Sequence, residues 1–275
     1  MQVHTSVASL RAALAGSRDH ALVPTMGNLH QGHIALVTRA RQLCDAVVAT
    51  IFVNRLQFRP TDDFDAYPRT FEQDCAKLEA AGVAHLFAPS ENEMYPQPQA
   101  YHVVPPPDQD GILEGEFRPG HFRGVATVVL KLFHIAMPRL ALFGKKDYQQ
   151  LMVIRNMVRD LNLAIEIVAE DTVRAPDGLA LSSRNGYLSA QQRAEAPRLQ
   201  KCLAIVRKSI LDGNPDFERL EREAMAELRA SGWIPDYVAV RKKLDLQLPI
   251  SHDSELVVLG AALLGSTRLI DNLEV

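Results

Sequence analysis

Within the stretch VPTMGNLHQGHIALV, two glycines (Gly27, Gly32) and two imidazoles (His30, His33) fall inside seven residues, where an apolar run gives way to a helical pattern. A glycine turn at the mouth of a helix offers backbone N–H groups beside the positive end of the helix dipole, which favours an anion. Gly27 and Gly32 have the spacing of a P-loop, but His33 stands where its lysine belongs and Ile34 where a hydroxyl would hold magnesium. Imidazoles suit a different task. They donate hydrogen bonds to phosphate oxygens and bind more strongly as charge develops in a transition state. Two other readings stand beside this one. The pair is a polar turn that caps the helix, or it is half of a metal site, for which no further Cys, His or carboxylate lies at a recognisable ligand spacing.

The elements that must position this loop alternate along the chain. HALVPTM (20–26), AVVATIFVN (46–54), VAHLFAP (83–89), RLALFG (139–144) and AIEIVAE (164–170) read as strands, the second with the β-branched density of a strand buried on both faces. HIALVTRARQLC, FEQDCAKLEAAG, HFRGVATVVLKLFHIAM and DYQQLMVIRNMVRDLN read as the intervening helices. This order predicts right-handed βαβ units, with ligands beyond the carboxyl ends of the strands. The expected fold is therefore α/β. A Rossmann-like doubly wound parallel sheet forms an N-terminal domain over 1–170, and a smaller α+β C-terminal domain covers 171–275. In the latter, helices are expected over Ala190–Leu211 and Pro215–Ala230, with strands in DYVAVRKKLDL and SELVVLGAALLGSTRLIDNLEV.

Composition narrows the function classes. A formal charge of −3 gives no general attraction for nucleic acid. The longest apolar segments, such as VATVVLKLFHIAM, are too short and interrupted to span a bilayer. The N-terminus MQVHTSVASLRAALAG lacks the basic start and apolar run of a signal peptide. Cys44, Cys75 and Cys202 are far apart with no CxxC spacing, which fits thiols in a reducing compartment; the cytoplasm is expected.

His30-Gln31-Gly32-His33 resembles the HIGH-type motif of the nucleotidyltransferase superfamily, which includes class I aminoacyl-tRNA synthetases. Six stretches in order narrow the likeness: VPTMGNLHQGH, IFVNRLQF, DAYPRT, LEGEFRPGHFRGV, LFGKKDYQQL and DGLALSSRNGYLS. Together, from about residue 20 to the final LIDN, they resemble the AMP-forming pantoate–β-alanine ligase family of coenzyme A precursor synthesis. The resemblance implies condensation of pantoate with β-alanine through a pantoyl adenylate, releasing AMP and pyrophosphate. It implies ATP as substrate, Mg2+ on the phosphates, no nucleic-acid or membrane partner, and a homodimer through the first domain.

Carried over residue by residue, His33, His30 and Lys146 are the catalytic groups, His33 as proton donor and Lys146 as the cation on the phosphates. ATP falls to Met26, Gly27, Asn28, Leu29, His30, Gln31, Gly32 and His33 in the first loop, and to Gly144, Lys145, Lys146 and Asp147 in GKKD. Val173 and the stretch Leu181, Ser182, Ser183, Arg184 complete that set, the latter as counterpart of a mobile KMSKS loop within a C-terminal lid. Gln57 and Gln150 fall to pantoate and β-alanine. Pro24, Met26, Phe52, Val128 and Val129 either surround the geminal methyl groups or are ordinary core. Tyr67, Asp74, Arg118 and Arg123 lie in family stretches without an assigned step.

The chain departs from the family pattern at Arg55, where proline usually follows FVN, at Lys145, and across VRKKLDLQLP. A nucleotidyltransferase that retains the nucleotide in its product is the alternative, since HxGH serves both chemistries. A non-catalytic RNA-binding relative of the synthetases lacks the basic, aromatic-interleaved patch it would need.

Overall fold

The structure is a computed structural model describing residues 1–17, 19–60, 64–250 and 253–275. It divides into two compact units, Met1–Gly144 with Val153–Asp171, and Lys145–Met152 with Thr172–Val275.

In the first unit, strands β1 (Gln2–His4), β2 (His20–Val23), β3 (Ala46–Thr50), β4 (His85–Phe87), β5 (Leu140–Gly144) and β6 (Glu166–Glu170) form one sheet in the order β1-β4-β3-β2-β5-β6. Every pairing is parallel. The chain winds outward from β2 through β3 to β4, then returns to the other side of β2 as β5. The order therefore reverses between β2 and β5, where an open α/β sheet leaves a crevice at its carboxyl edge. The histidine loop leaves β2 at that edge.

Side chains alternate across this sheet with the two-residue period of a strand. Ala21, Val23, Val47, Ala49 and Leu140 join Leu36, Val37 and Ala40 of the helix Gln31–Leu43 in one core, together with Leu78 of the helix Phe71–Ala80. Leu22 and Val48 point to the opposite face and are equally buried, so the inner strands are covered on both sides. β2 is shorter than the apolar run that predicts it, because Pro24 has no N–H for the ladder. β3 stops at Thr50, beyond which the Phe52 N–H donates to the Thr25 carbonyl. β1 carries only three residues, too few for a periodic signal, and has no counterpart among the strands expected from sequence.

The second unit holds β7 (Ile234–Lys242), β8 (Leu256–Leu264) and β9 (Thr267–Glu274) in an antiparallel sheet, β7-β8-β9. Leu199, Cys202, Leu203 and Val206 make the stripe of the helix Arg198–Leu211, and Leu220, Ala224 and Leu228 that of the helix Phe217–Ala230. Both stripes join Val238, Val240, Leu256 and Val258 in a core of their own. The single helix expected over 190–211 is two, Ala190–Glu195 and Arg198–Leu211, interrupted at Pro197, whose ring cannot continue a hydrogen-bonded turn. Among the described residues no helix is long and apolar enough to cross a membrane. All three cysteines are free thiols.

Candidate active site

The loop between β2 and the helix Gln31–Leu43 is built around a buried carboxylate. Asp74, fully shielded from solvent, accepts from the backbone N–H groups of Asn28 and Leu29, both at 2.8 Å, and from the Thr70 hydroxyl at 3.0 Å. Lys77 donates to the Leu29 carbonyl at 2.7 Å. Gly27, at φ 85°, turns so closely against this group that a methyl there would stand 3.2 Å from Asp74 Oδ2 and 3.1 Å from Ile51. Asn28 follows in the left-handed region at φ 50°.

His30 caps the helix. Its Nδ1 accepts from Gly32 N–H at 3.1 Å, and His33 Nδ1 accepts from His30 N–H at 3.2 Å, a reciprocal capping box in which both partners are imidazoles. A backbone N–H can only donate, so both Nδ1 atoms are acceptors and each neutral ring carries its proton on Nε2. The rings lie 4.1 Å apart between centroids. Gly32 is needed for this arrangement, since a Cβ there would fall 2.8 Å from the His30 ring.

The expectation that loop amides serve an anion is met differently. Gly27 N–H goes to Thr25 Oγ1, Asn28 and Leu29 to Asp74, His30 and Gly32 to the two rings, and His33 to the His30 carbonyl. These amides are engaged inside the loop, and the cap leaves Nε2 as the proton-bearing nitrogen of each neutral ring.

Replacing Gly32 by alanine is expected to drive the His30 ring off its cap. The helix start should survive, since a cap contributes only about 1 kcal/mol, while the ATP-dependent turnover that the sequence resemblance implies falls by at least about tenfold as the ring is misdirected. Thermal unfolding and initial rates measured side by side check both halves.

Gln57 joins the same loop through its Nε2, 3.3 Å from Met26 Sδ. Its backbone belongs to the 3-10 turn Arg55–Gln57, and its carbonyl accepts from His121 Nδ1 at 2.9 Å and Arg118 at 3.3 Å. Gly124 lets the helix His121–Ala136 meet this turn, because a Cβ there would lie 2.2 Å from the Leu56 carbonyl oxygen. Phe52, Val128 and Val129 are buried, whereas Pro24 and Met26 are half-buried. The Arg55 guanidinium is held 3.0 Å from Glu91 and stacks 3.9 Å above the Phe64 ring, so its charge is answered by a carboxylate.

The remaining sequence-predicted residues lie in the second unit, except Gly144, which ends β5 in the first. There β9 organises them. Asn272 Nδ2 donates to the carbonyls of Lys145 and Lys146 at 2.8 and 2.9 Å, fixing the GKKD turn. Lys145 pairs with Glu274 at 2.9 Å, and the Tyr148 hydroxyl donates to the same carboxylate at 2.8 Å. Burial pushes the Glu274 carboxyl up, but these two bonds outweigh it and hold it below the usual range. Lys146 is mostly enclosed, 3.9 Å from Asp147, which is exposed. Gln150, half-buried, sits in the first turn of the helix Tyr148–Asp160.

Arg174 forms a bidentate pair with buried Asp271, at 2.7 and 2.8 Å, and also donates to the Gly178 and Asn272 carbonyls. Leu181 N–H donates to the Val173 carbonyl, and Ser182 caps the 3-10 turn Ser183–Tyr187 by accepting from Arg184 N–H. Strand β9 thus carries both the lysine turn and the base of the serine loop. Sequence reasoning passes over Asp271, Asn272, Glu274, Asn54 and Tyr95 as chemistry-bearing positions; LIDN, which holds the first two, and IFVNRLQF, which holds Asn54, stand out there only as family stretches.

The family model for pantoate-beta-alanine ligase matches residues 2–274. The chain belongs to that family. Two structures of pantothenate synthetase from Thermus thermophilus superpose with TM-scores of 0.95 and 0.96 at 46% and 45% identity, each covering 100% of this chain and 99% of the other. A pantoate-beta-alanine ligase from Francisella tularensis, complexed with beta-gamma ATP and beta-alanine, matches at TM-score 0.83 and 34% identity over 100% and 97% of the two chains. The enzyme is accordingly a pantoate–β-alanine ligase that forms pantothenate, with the α/β fold of those structures.

Proposed function

We propose that the enzyme uses ATP in two steps and that the imidazole pair of the first loop serves the phosphates. A pantoate carboxylate oxygen attacks the α-phosphorus, the bond to the bridging oxygen of the β-phosphate breaks, and pyrophosphate leaves with that electron pair. The β-alanine amine then attacks the acyl carbon, the bond to AMP breaks, and the nitrogen loses its extra proton. The observation carrying this reading is the reciprocal cap, which puts a proton on Nε2 of both His30 and His33. ATP and β-alanine bound to the Francisella relative support the substrate assignment.

In this reading His33 and His30 both donate hydrogen bonds from Nε2–H to the phosphate oxygens and keep those protons, His33 at the oxygen where charge develops. Lys146 neutralises charge at the phosphorus, and Asp147 orients the ribose. The rest of the loop from Met26 to His33, Gly144, Lys145 and Val173 shape the nucleotide site, while Ser182, Ser183 and Arg184, with Leu181, attend the triphosphate from a domain over 171–275. Gln57 and Gln150 line the site for pantoate and β-alanine, Gln57 on pantoate, since a neutral amide binds that carboxylate without quenching it as a nucleophile. Mg2+ is assigned to the phosphates, because this ion keeps most of its waters and takes few protein ligands. Its role is to screen phosphate charge, and no group of three or more His, Cys, Asp or Glu is gathered for a metal among the described residues. A homodimer and a cytoplasmic location complete the proposal, resting on the family likeness and the free thiols.

The test is isotope exchange of pyrophosphate into ATP. Exchange should require pantoate but not β-alanine, and β-alanine should release AMP stoichiometrically with pantothenate. Labelled AMP retained in a stable product would replace this reading with a nucleotidyltransferase.

A further inference from the structure

Tyr95, Asn54 and Gln57 form a hydrogen-bonded series whose sense is fixed at a backbone carbonyl. Asn54 is 1% exposed. Its Nδ2 lies 3.1 Å from both the Gly124 carbonyl oxygen and Gln57 Oε1, and the Tyr95 hydroxyl lies 2.8 Å from its Oδ1. The two ends of an amide are alike in shape, so only their partners decide which is which. A carbonyl accepts and cannot donate; the end of Asn54 facing Gly124 is therefore the NH2 group. The second N–H of that group needs an acceptor, which makes the facing atom of Gln57 its oxygen. On the other side, the Asn54 oxygen takes the Tyr95 hydroxyl proton.

With its oxygen committed inward, Gln57 turns its own NH2 group the other way, toward Met26. A thioether is a weak acceptor, so this amide is ready to donate to a better one. The tyrosine is suited to holding the series in register. Burial pushes its phenol far above the ordinary range, so it remains a donor at any working pH. The Lys131 ammonium lies 4.5 Å above its ring and is itself tied to the Met94 carbonyl and Gln99.

We propose that Tyr95, acting through Asn54, is a positioning residue that makes Gln57 present N–H donors to the hydroxy acid, selecting a substrate that offers carboxylate or hydroxyl oxygens there. The proposal deepens the assignment of Gln57 to pantoate and rests on it. Steady-state kinetics of Tyr95→Phe, Gln57→Ala and Gln57→Glu, with each of the three substrates varied in turn and thermal unfolding recorded, test it. Tyr95→Phe should raise the pantoate KM about 3–10-fold, the effect of one misaligned hydrogen bond, and leave the ATP and β-alanine KM unchanged. Gln57→Glu should be worse than Gln57→Ala by at least about tenfold in kcat/KM for pantoate, because a carboxylate cannot donate and repels the acid.

An unchanged pantoate KM in Gln57→Ala would remove Gln57 from that subsite and overturn both assignments. A raised KM in Gln57→Ala with Gln57→Glu no worse would overturn the donor sense alone and leave the ligase mechanism standing. Tyr95→Phe shifting all three KM values alike, or lowering only the unfolding temperature, would reduce Tyr95 to packing and overturn the relay.

Discussion

Replacing His33 by alanine is expected to slow pantoate-dependent pyrophosphate exchange by about 100- to 1,000-fold, the usual effect of deleting one directed donor from a phosphoryl or acyl transition state. The structure makes that variant ambiguous by itself, because His33 Nδ1 also accepts the His30 N–H and so belongs to the cap. Glutamine is the natural partner substitution. At the third helical position its carbonyl can accept the same N–H, as in an ordinary capping box. His33→Gln should therefore unfold at the wild-type temperature, whereas His33→Ala should lose about 1 kcal/mol of helix capping. Both should remain slow, since an amide whose carbonyl is held by the cap cannot place an N–H where the imidazole Nε2–H stands. Single-turnover adenylation measured in quench flow separates the cases. A His33→Gln rate near wild type would mean that the imidazole Nε2–H takes no part in adenylation.

Much of the fold is legible because parallel strands buried on both faces leave unbroken apolar runs, as in AVVAT, and because 3.6-residue stripes such as Leu199, Cys202, Leu203 and Val206 stand out. What is not legible has a shared cause. β1 is three residues long, and its place beside β4 is set by pairing across more than eighty positions of chain. The break at Pro197 is hidden because amphipathic residues continue on both sides of it.

The site shows the same division. The residues proposed to serve the phosphates, His30, His33 and Lys146, are ones whose type and spacing stand out in the sequence. Residues that hold them do so through backbone groups, which leave little mark in a sequence. Asn272 grips two carbonyls, Asp74 grips two amides, and Asn54 grips the Gly124 carbonyl. A local pattern cannot show which distant N–H or C=O a buried polar side chain will meet. The glycines make the point in reverse. Gly32 stands out in the sequence by its P-loop spacing from Gly27, while its need to lack a side chain comes from the His30 ring packed against it.

Asp74 is where this distinction has its largest expected consequence. Its carboxylate is buried and receives three hydrogen bonds, two of them from amides of the histidine loop. Asp74→Ala leaves the Asn28 and Leu29 N–H groups without an acceptor in a region closed to water, a loss of about 2–5 kcal/mol in total. That is a large share of the roughly 5–15 kcal/mol typical of a whole domain, so urea unfolding should shift visibly toward lower concentration. Asp74→Asn keeps the volume but replaces one acceptor oxygen by an NH2 group that must face an N–H. Its destabilisation should approach that of alanine, unlike an exposed Asp→Asn change. Since the loop then no longer holds both rings in place, exchange activity should fall by about 100-fold even where the variant remains folded, the usual sensitivity of catalysis to a displacement of about 1 Å. Pantoate and ATP KM should rise far less than kcat falls, because the buried Asp74 carboxylate is spent on the loop's own amides and Thr70. Full activity in a folded Asp74→Asn enzyme would show that the loop keeps its shape without the carboxylate and that Lys77 and the Gly27 turn are sufficient.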